Sequence, residues 1–269
     1  MADLLAADAR EWLLGELREV ITARGAQTFL TAPILEPTPR DFPDPFEPNE
    51  QGVRVLLRRI LDYAGLAQLG VELDTFSQPD EVQELDERGR AKAWGHEGAA
   101  AWFAGIDGGQ CHFGIAEERI GEPALLVGTL CHEVAHAWRT ARRIRTPDRD
   151  TEERLTDLTT VYLGFGLLTT NAAYVYRQSG ELTGGESNGS IAVTRWRHSH
   201  SGYLPPEAMS FLLAAQVKAR GMGWLARRRV VGKLETNQAA YFRWAMRKLP
   251  PVDELRRVLG LTERAVAAA

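Results

Sequence analysis

His132, Glu133 and His136 stand in the order H-E-x-x-H, inside Leu130-Cys131-His132-Glu133-Val134-Ala135-His136-Ala137-Trp138. The flanks are apolar and suited to a helix. On a helix, residues four apart share a face, with Cβ atoms about 5–6 Å apart. Two imidazoles so placed both reach one cation at about 2.0–2.1 Å. Glu133 is rotated to one side of the pair, so it can take a proton from a water on that cation without being a ligand itself. The plainer alternative is two partly buried histidines bonded to neighbours. An apolar helix seldom carries two imidazoles and a carboxylate without a chemical reason.

Two imidazoles do not complete such a site. Zinc takes a third protein ligand and, for catalysis, keeps one position open. The candidates lie in Asp150-Thr151-Glu152-Glu153-Arg154-Leu155-Thr156-Asp157. Glu153 and Asp157 are four apart and share a helix face. Glu153 is taken as the third ligand, and Asp157 as the acceptor that orients a histidine through its free ring N–H. Asp157 and then Glu152 are the alternatives for the third ligand. A capping box with Asp150 as N-cap and Glu153 three residues on is a competing account of Glu153. Further along the same face, Gly164 and nearby Gly166 have no side chains, which suits a close approach of two helices sharing a metal.

In these segments the chain resembles the zincin metallopeptidases, in the gluzincin-like arrangement of H-E-x-x-H followed by E-x-x-x-D. It is similar to the compact ImmA/IrrE class, with Thr156 where that class carries alanine, and to bacterial proteins with H-E-x-x-H ahead of segments like Leu155–Leu158 and Leu163–Gly166. The resemblance covers about residues 100–170. It implies a zinc ion held by His132, His136 and Glu153, and a hydrolase acting on a peptide or protein. It also implies an edge strand beside the active helix, at Cys111–Ala116, to which an extended peptide can add by main-chain hydrogen bonds. Zincins add a donor for the oxyanion, and the run Arg195–Tyr203 offers Tyr203 and His200. His198 and His200 form an H-x-H pair, a rival source of the third ligand. A zincin scaffold kept for binding or regulation, without turnover, is the alternative function.

The elements that must position these residues follow from periodicity. Helices are predicted over 3–24, 49–64, 123–141, 151–176, 206–220 and 236–248, with Asn49 as an N-cap, Gly65 just past a C-terminus and Pro206 in a first turn. Val71, Leu73 and Thr75 alternate with acids as in a half-buried strand. Residues 102–106 and 111–116 flank Asp107-Gly108-Gly109 as a hairpin. His112 points opposite to Cys111 and Phe113, and Cys131 reads as a small buried apolar side chain. Residues 33–48 hold six prolines and read as an extended connector. Residues 77–99 read as a polar loop and 177–203 as either a mobile loop or a long irregular hairpin, and Gly180–Gly185 lacks the ending of a phosphate loop. Arg227-Arg228-Arg229 is a solvated run able to receive an acidic partner. The expected fold is α+β, mostly helical and zincin-like, with a small antiparallel sheet next to the active-site helix. An N-terminal helix and connector (1–48), a metal-binding core (49–176) and a C-terminal helical part (177–269) are expected to make up the chain.

Composition bounds the rest. A net charge of −4 does not suggest a broad grip on nucleic acid. Two cysteines, Cys111 and Cys131, do not make a disulfide framework. The opening Met1-Ala2-Asp3-Leu4-Leu5 carries an acid where an export signal carries Lys or Arg, and no apolar run approaches the ~20 residues of a membrane span. A cytoplasmic protein with no nucleic-acid or membrane partner is expected.

Overall fold

Pro123 occupies the first turn of a 19-residue helix that ends at Ala141. From Leu126 to Arg139 nearly every residue is buried, on all sides of the helix. A helix apolar all round belongs inside a fold, and this one, α5 in chain order, is the central rod. In the computed structural model, which describes residues 3–77, 100–146, 148–179 and 203–268, fifteen elements surround or include it. The helices before it are α1 (Ala7–Arg24), α2 (Ala26–Thr31), α3 (Glu50–Tyr63) and the short α4 (Glu117–Ile120). After it come α6 (Arg149–Tyr162), α7 (Gly166–Ser179), α8 (Pro206–Ala219), α9 (Trp224–Lys233), α10 (Thr236–Lys248), α11 (Val252–Val258) and α12 (Glu263–Ala267). Among the described residues no helix is long and apolar enough to cross a membrane.

The sheet has three strands, β1 (Gly70–Phe76), β2 (Ala101–Asp107) and β3 (Gln110–Ala116), in the order β1-β3-β2. β2 and β3 form the expected antiparallel hairpin. Its two turn residues, Gly108 and Gly109, have φ of 53° and 79°, the left-handed pair that matches the twist of the strands. β1 pairs with β3 in parallel, from Gly70 opposite Gln110 to Phe76 opposite Ala116, so the sheet is mixed. This corrects the placing of Cys111–Ala116 as the edge strand. β1 covers its outer side, and β2 is the edge that packs on α5. A bulge between Phe103 and Gly105 bends that edge.

The helix expected over 151–176 is two helices. Gly164 has φ 92°, the Phe165 amide donates to the Thr160 carbonyl (2.8 Å), and the Gly164 amide donates to the Val161 carbonyl (3.1 Å). That is the Schellman pattern of a helix end, with glycine at the left-handed position. A Cβ on Gly164 would stand 2.1 Å from the Pro33 carbonyl oxygen. Gly164 therefore ends a helix against the proline-rich segment, and does not bring two helices together as its place on the α6 face suggested. The glycine that does so is Gly128 on α5. A methyl there would lie 2.6 Å from Ala172 Cβ and 3.0 Å from the Leu168 carbonyl oxygen, both on α7. Gly128→Ala should cost about 1–3 kcal/mol through overpacking, more than the ~1 kcal/mol alanine returns in helix propensity. Urea unfolding of the two proteins measures the difference.

The segment 33–48 is irregular but tied down. The Leu35 amide donates to the Gly164 carbonyl (3.0 Å), Tyr63 Oη donates to the Asp41 carbonyl (2.7 Å), and Arg59 pairs with Asp44. α1 buries Leu13, Leu17 and Ile21, and packs on α6 and α8. At the C-terminal end of α1, Tyr162 Oη donates to the Gly25 carbonyl (2.9 Å).

Candidate metal centre

α5 and α6 meet at the histidines. α6 begins two residues earlier than a cap at Asp150 would place it. Asp148 is the N-cap, its side chain accepting from the Thr151 amide at 2.8 Å. Capping is thus done without Glu153, whose carboxylate turns to α5. His132 Nε2, His136 Nε2 and Glu153 Oε2 lie 3.1 Å from one another in all three pairings. The centre of such a triangle is 3.1/√3, about 1.8 Å, from each corner, so a cation at about 2.0–2.1 Å fits just off its plane.

The far side of each ring says which atoms carry protons. His132 Nδ1 is 2.8 Å from Asp157 Oδ1. A carboxylate accepts, so Nδ1 holds the hydrogen, and in the neutral ring the Nε2 lone pair faces the triangle. His136 Nδ1 has Thr156 Oγ1 at 3.2 Å and Glu152 Oε1 at 3.8 Å, and with its hydrogen on Nδ1 this ring too turns its Nε2 lone pair to the triangle. Two nitrogen lone pairs and a carboxylate oxygen thus converge on one point. Such an arrangement is repulsive unless protons or a cation lie among the three atoms. The donor set fits a divalent ion, and the three residues can hold one.

Burial and charge push in opposite directions here. Burial lowers the His132 and His136 pKa values, but hydrogen bonds outweigh it: those of Asp157 and Glu153 for His132, and those of Glu152 and Glu153 for His136. Both rings are held above the ordinary histidine value. Burial raises the Glu153 carboxyl, and the two imidazoles overcome this and hold it far below the carboxylate range. Glu133 is buried beside the triangle, not in it, and burial pushes its pKa up against the pull of the two histidines and of the Phe103 amide on β2.

Asp157 sits behind the cluster and accepts twice, from His132 through Oδ1 and from the Leu204 amide through Oδ2 (2.8 Å). Glu152 stands outside the triangle, on the Nδ1 side of His136. Arg139, almost wholly buried, forks onto it with two 2.8 Å bonds, and Thr146 donates to it as well. Arg139 and Thr156 are the supports that sequence reasoning missed. The signal was present, since Arg139 lies three residues past His136 and seven past His132, on the same helix face. The Tyr203 ring packs on the His132 ring, centroids 5.0 Å apart. Its phenol is pushed well up by burial first, and then by the charges of Glu153, Glu133 and Asp157. His198 and His200 lie outside the described residues, as do Gly180–Gly185 and residues 78–99 of the polar stretch. His112 is on the sheet face opposite Cys111 and Phe113, and takes no part in the cluster. Cys111 and Cys131 are both buried free thiols, the first pushed up to about 11 by burial.

Asp157→Ala should weaken metal binding by about 10–100-fold, the usual effect of removing the group that orients a ligand. Competition against a chromophoric chelator reads this directly. An unchanged affinity would mean that Asp157 only anchors Leu204.

No protein-family model, curated protein or solved structure matches the chain.

Proposed function

We propose that this chain is a cytoplasmic zinc-dependent hydrolase, a peptidase of zincin-like construction. One observation carries the reading: a buried carboxylate, Glu133, stands next to three converging ligand atoms without being one of them. A purely structural ion has no use for it. Two imidazoles and a carboxylate suit zinc. His132, His136 and Glu153 would hold the ion, which when bound supplies Lewis acidity to a water and a carbonyl oxygen.

The chain's own residues do the rest. Glu133 takes the proton from the attacking water on its carboxylate and returns it to the leaving amine. Burial favours its neutral form and so strengthens it as a base. Tyr203, kept protonated by its surroundings, serves as hydrogen-bond donor to the oxyanion. The edge of β2, alongside Glu133, is where an extended peptide adds by main-chain hydrogen bonds. Two buried free thiols suit a reducing compartment.

The test is metal analysis of the purified chain, followed by mass-spectrometric reading of cleavage in a mixed peptide pool. The expected result is one zinc per chain, with cleavage that stops on chelation and returns with zinc. Zinc bound tightly, without cleavage and with a fourth protein ligand seen by X-ray absorption, would instead favour a regulatory module on the same scaffold.

A further inference from the structure

α10 begins without a side-chain cap. Its N-cap residue, Glu235, makes no side-chain bond to the helix, and the first amide to find a partner is that of Ala239, on the Glu235 carbonyl at 2.8 Å. The amides of Thr236, Asn237 and Gln238 have no acceptor among the described residues. Gln238 holds the third helical position, where a glutamine ordinarily accepts from the amide of the N-cap residue. Here that amide is taken. Glu235 N donates to Asn171 Oδ1 on α7 at 3.0 Å, and Asn171 Nδ2 donates to the Lys233 carbonyl at 2.9 Å. The Gln238 side chain is left with no hydrogen-bond partner among the described residues, although the residue is only 2% exposed.

A buried amide left unpaired is costly unless a ligand completes it. Gln238 lines a hollow of about 450 Å³, of the size that takes a small organic molecule. One wall is the first turn of α10, from Thr236 to Gln238. Another is apolar, formed by Pro37, Leu125 of α5 and Leu168 of α7. Ala124, also in the wall, belongs to the first turn of α5. Two helix starts thus border one hollow, neither closed by a side-chain cap. The positive ends of both dipoles favour an anion there. No residue of the metal cluster lines it.

The charge balance says which anion. Lys233 and Glu235 are both exposed residues of this hollow, and their charges offset one another. The field that remains is that of free amides and helix ends, about half a charge for each helix. That suits a ligand with one negative charge better than a phosphate dianion, and the apolar wall suits a hydrocarbon body. We infer that this hollow binds a small organic monocarboxylate. Its oxygens accept from the free α10 amides and from Gln238 Nε2, and its hydrocarbon lies against Leu125 and Leu168. Nothing in the site depends on the metal centre.

Isothermal titration calorimetry of the full chain with hexanoate tests this. The expected dissociation constant is about 0.1 mM, within reach of a ligand of this size. 1-Hexanol, which lacks the charge, and inorganic phosphate, which lacks the hydrocarbon, should each bind at least about tenfold more weakly. Gln238→Leu keeps the bulk and removes the donor, and should weaken hexanoate at least about tenfold. Its thermal midpoint should be no lower than that of the wild type, because an unpaired buried amide is gone. Ala124→Phe, a change at an exposed position, should fill the hollow and abolish binding. His132→Ala, which lacks a ligand of the metal centre, should bind hexanoate as the wild type does. No binding up to about 10 mM would overturn the site. So would hexanol binding as tightly as hexanoate, or Gln238→Leu and Ala124→Phe both without effect. Loss of binding in His132→Ala would put the carboxylate on the metal and overturn the site as well.

Discussion

His132→Ala should strip the chain of its cation. An outer partner of a ligand is worth about 10–100-fold in affinity. His132 supplies one of only three ligand atoms and is itself held by Asp157, so its loss should exceed that range, on the order of a thousandfold or more. The effect has a second reading in stability. An ion present at about a thousand times its dissociation constant stabilises the folded state by about 4 kcal/mol, and this increment should vanish in the variant. The substitution also leaves Asp157 without one partner inside the protein, which has its own cost. Each protein is therefore compared with itself, with and without zinc, by thermal unfolding. A variant that still gains several degrees from zinc would place the ion elsewhere.

Glu133→Gln should separate binding from turnover. The amide keeps the shape of the carboxylate but cannot accept the water's proton. General acid–base catalysis contributes about 10²–10⁴-fold, so kcat should fall by that order while the metal content stays at the wild-type value. Because Glu133 is buried, replacing it with a neutral group also removes a buried charge, and the fold should be no less stable. Full activity in this variant would remove Glu133 from the chemistry. Loss of metal along with activity would make it a ligand.

How much of this was legible beforehand depends on the kind of signal. α5, α8 and α10 were readable because apolar periodicity runs unbroken over them and proline marks two of their starts. The pairing of Glu153 and Asp157 with the two histidines was readable because spacing on two helices is local information. The break at Gly164 was not, because a glycine in a helical pattern is equally a small contact residue and a terminator. What decides is the Pro33 carbonyl, distant in sequence. The parallel pairing of β1 with β3 was hidden for the same reason, since the alternation of Val71, Leu73 and Thr75 fixes which faces they use but not which strand lies beside them. α9 reads in the sequence as a solvated arginine run because it buries only Val230, leaving almost no apolar stripe to detect. One of its arginines does receive an acid, Glu36 from the chain's own connector.

The twofold role of the Asp157 carboxylate has a thermodynamic consequence. One of its oxygens holds an imidazole of the metal centre and the other holds the amide that leads into α8. Occupancy of the metal centre and the seating of residues 203–204 are thereby two ends of one equilibrium. Whatever factor the ion adds to that seating, a perturbation at Leu204 must take from the ion's affinity in equal measure, because such coupling is reciprocal.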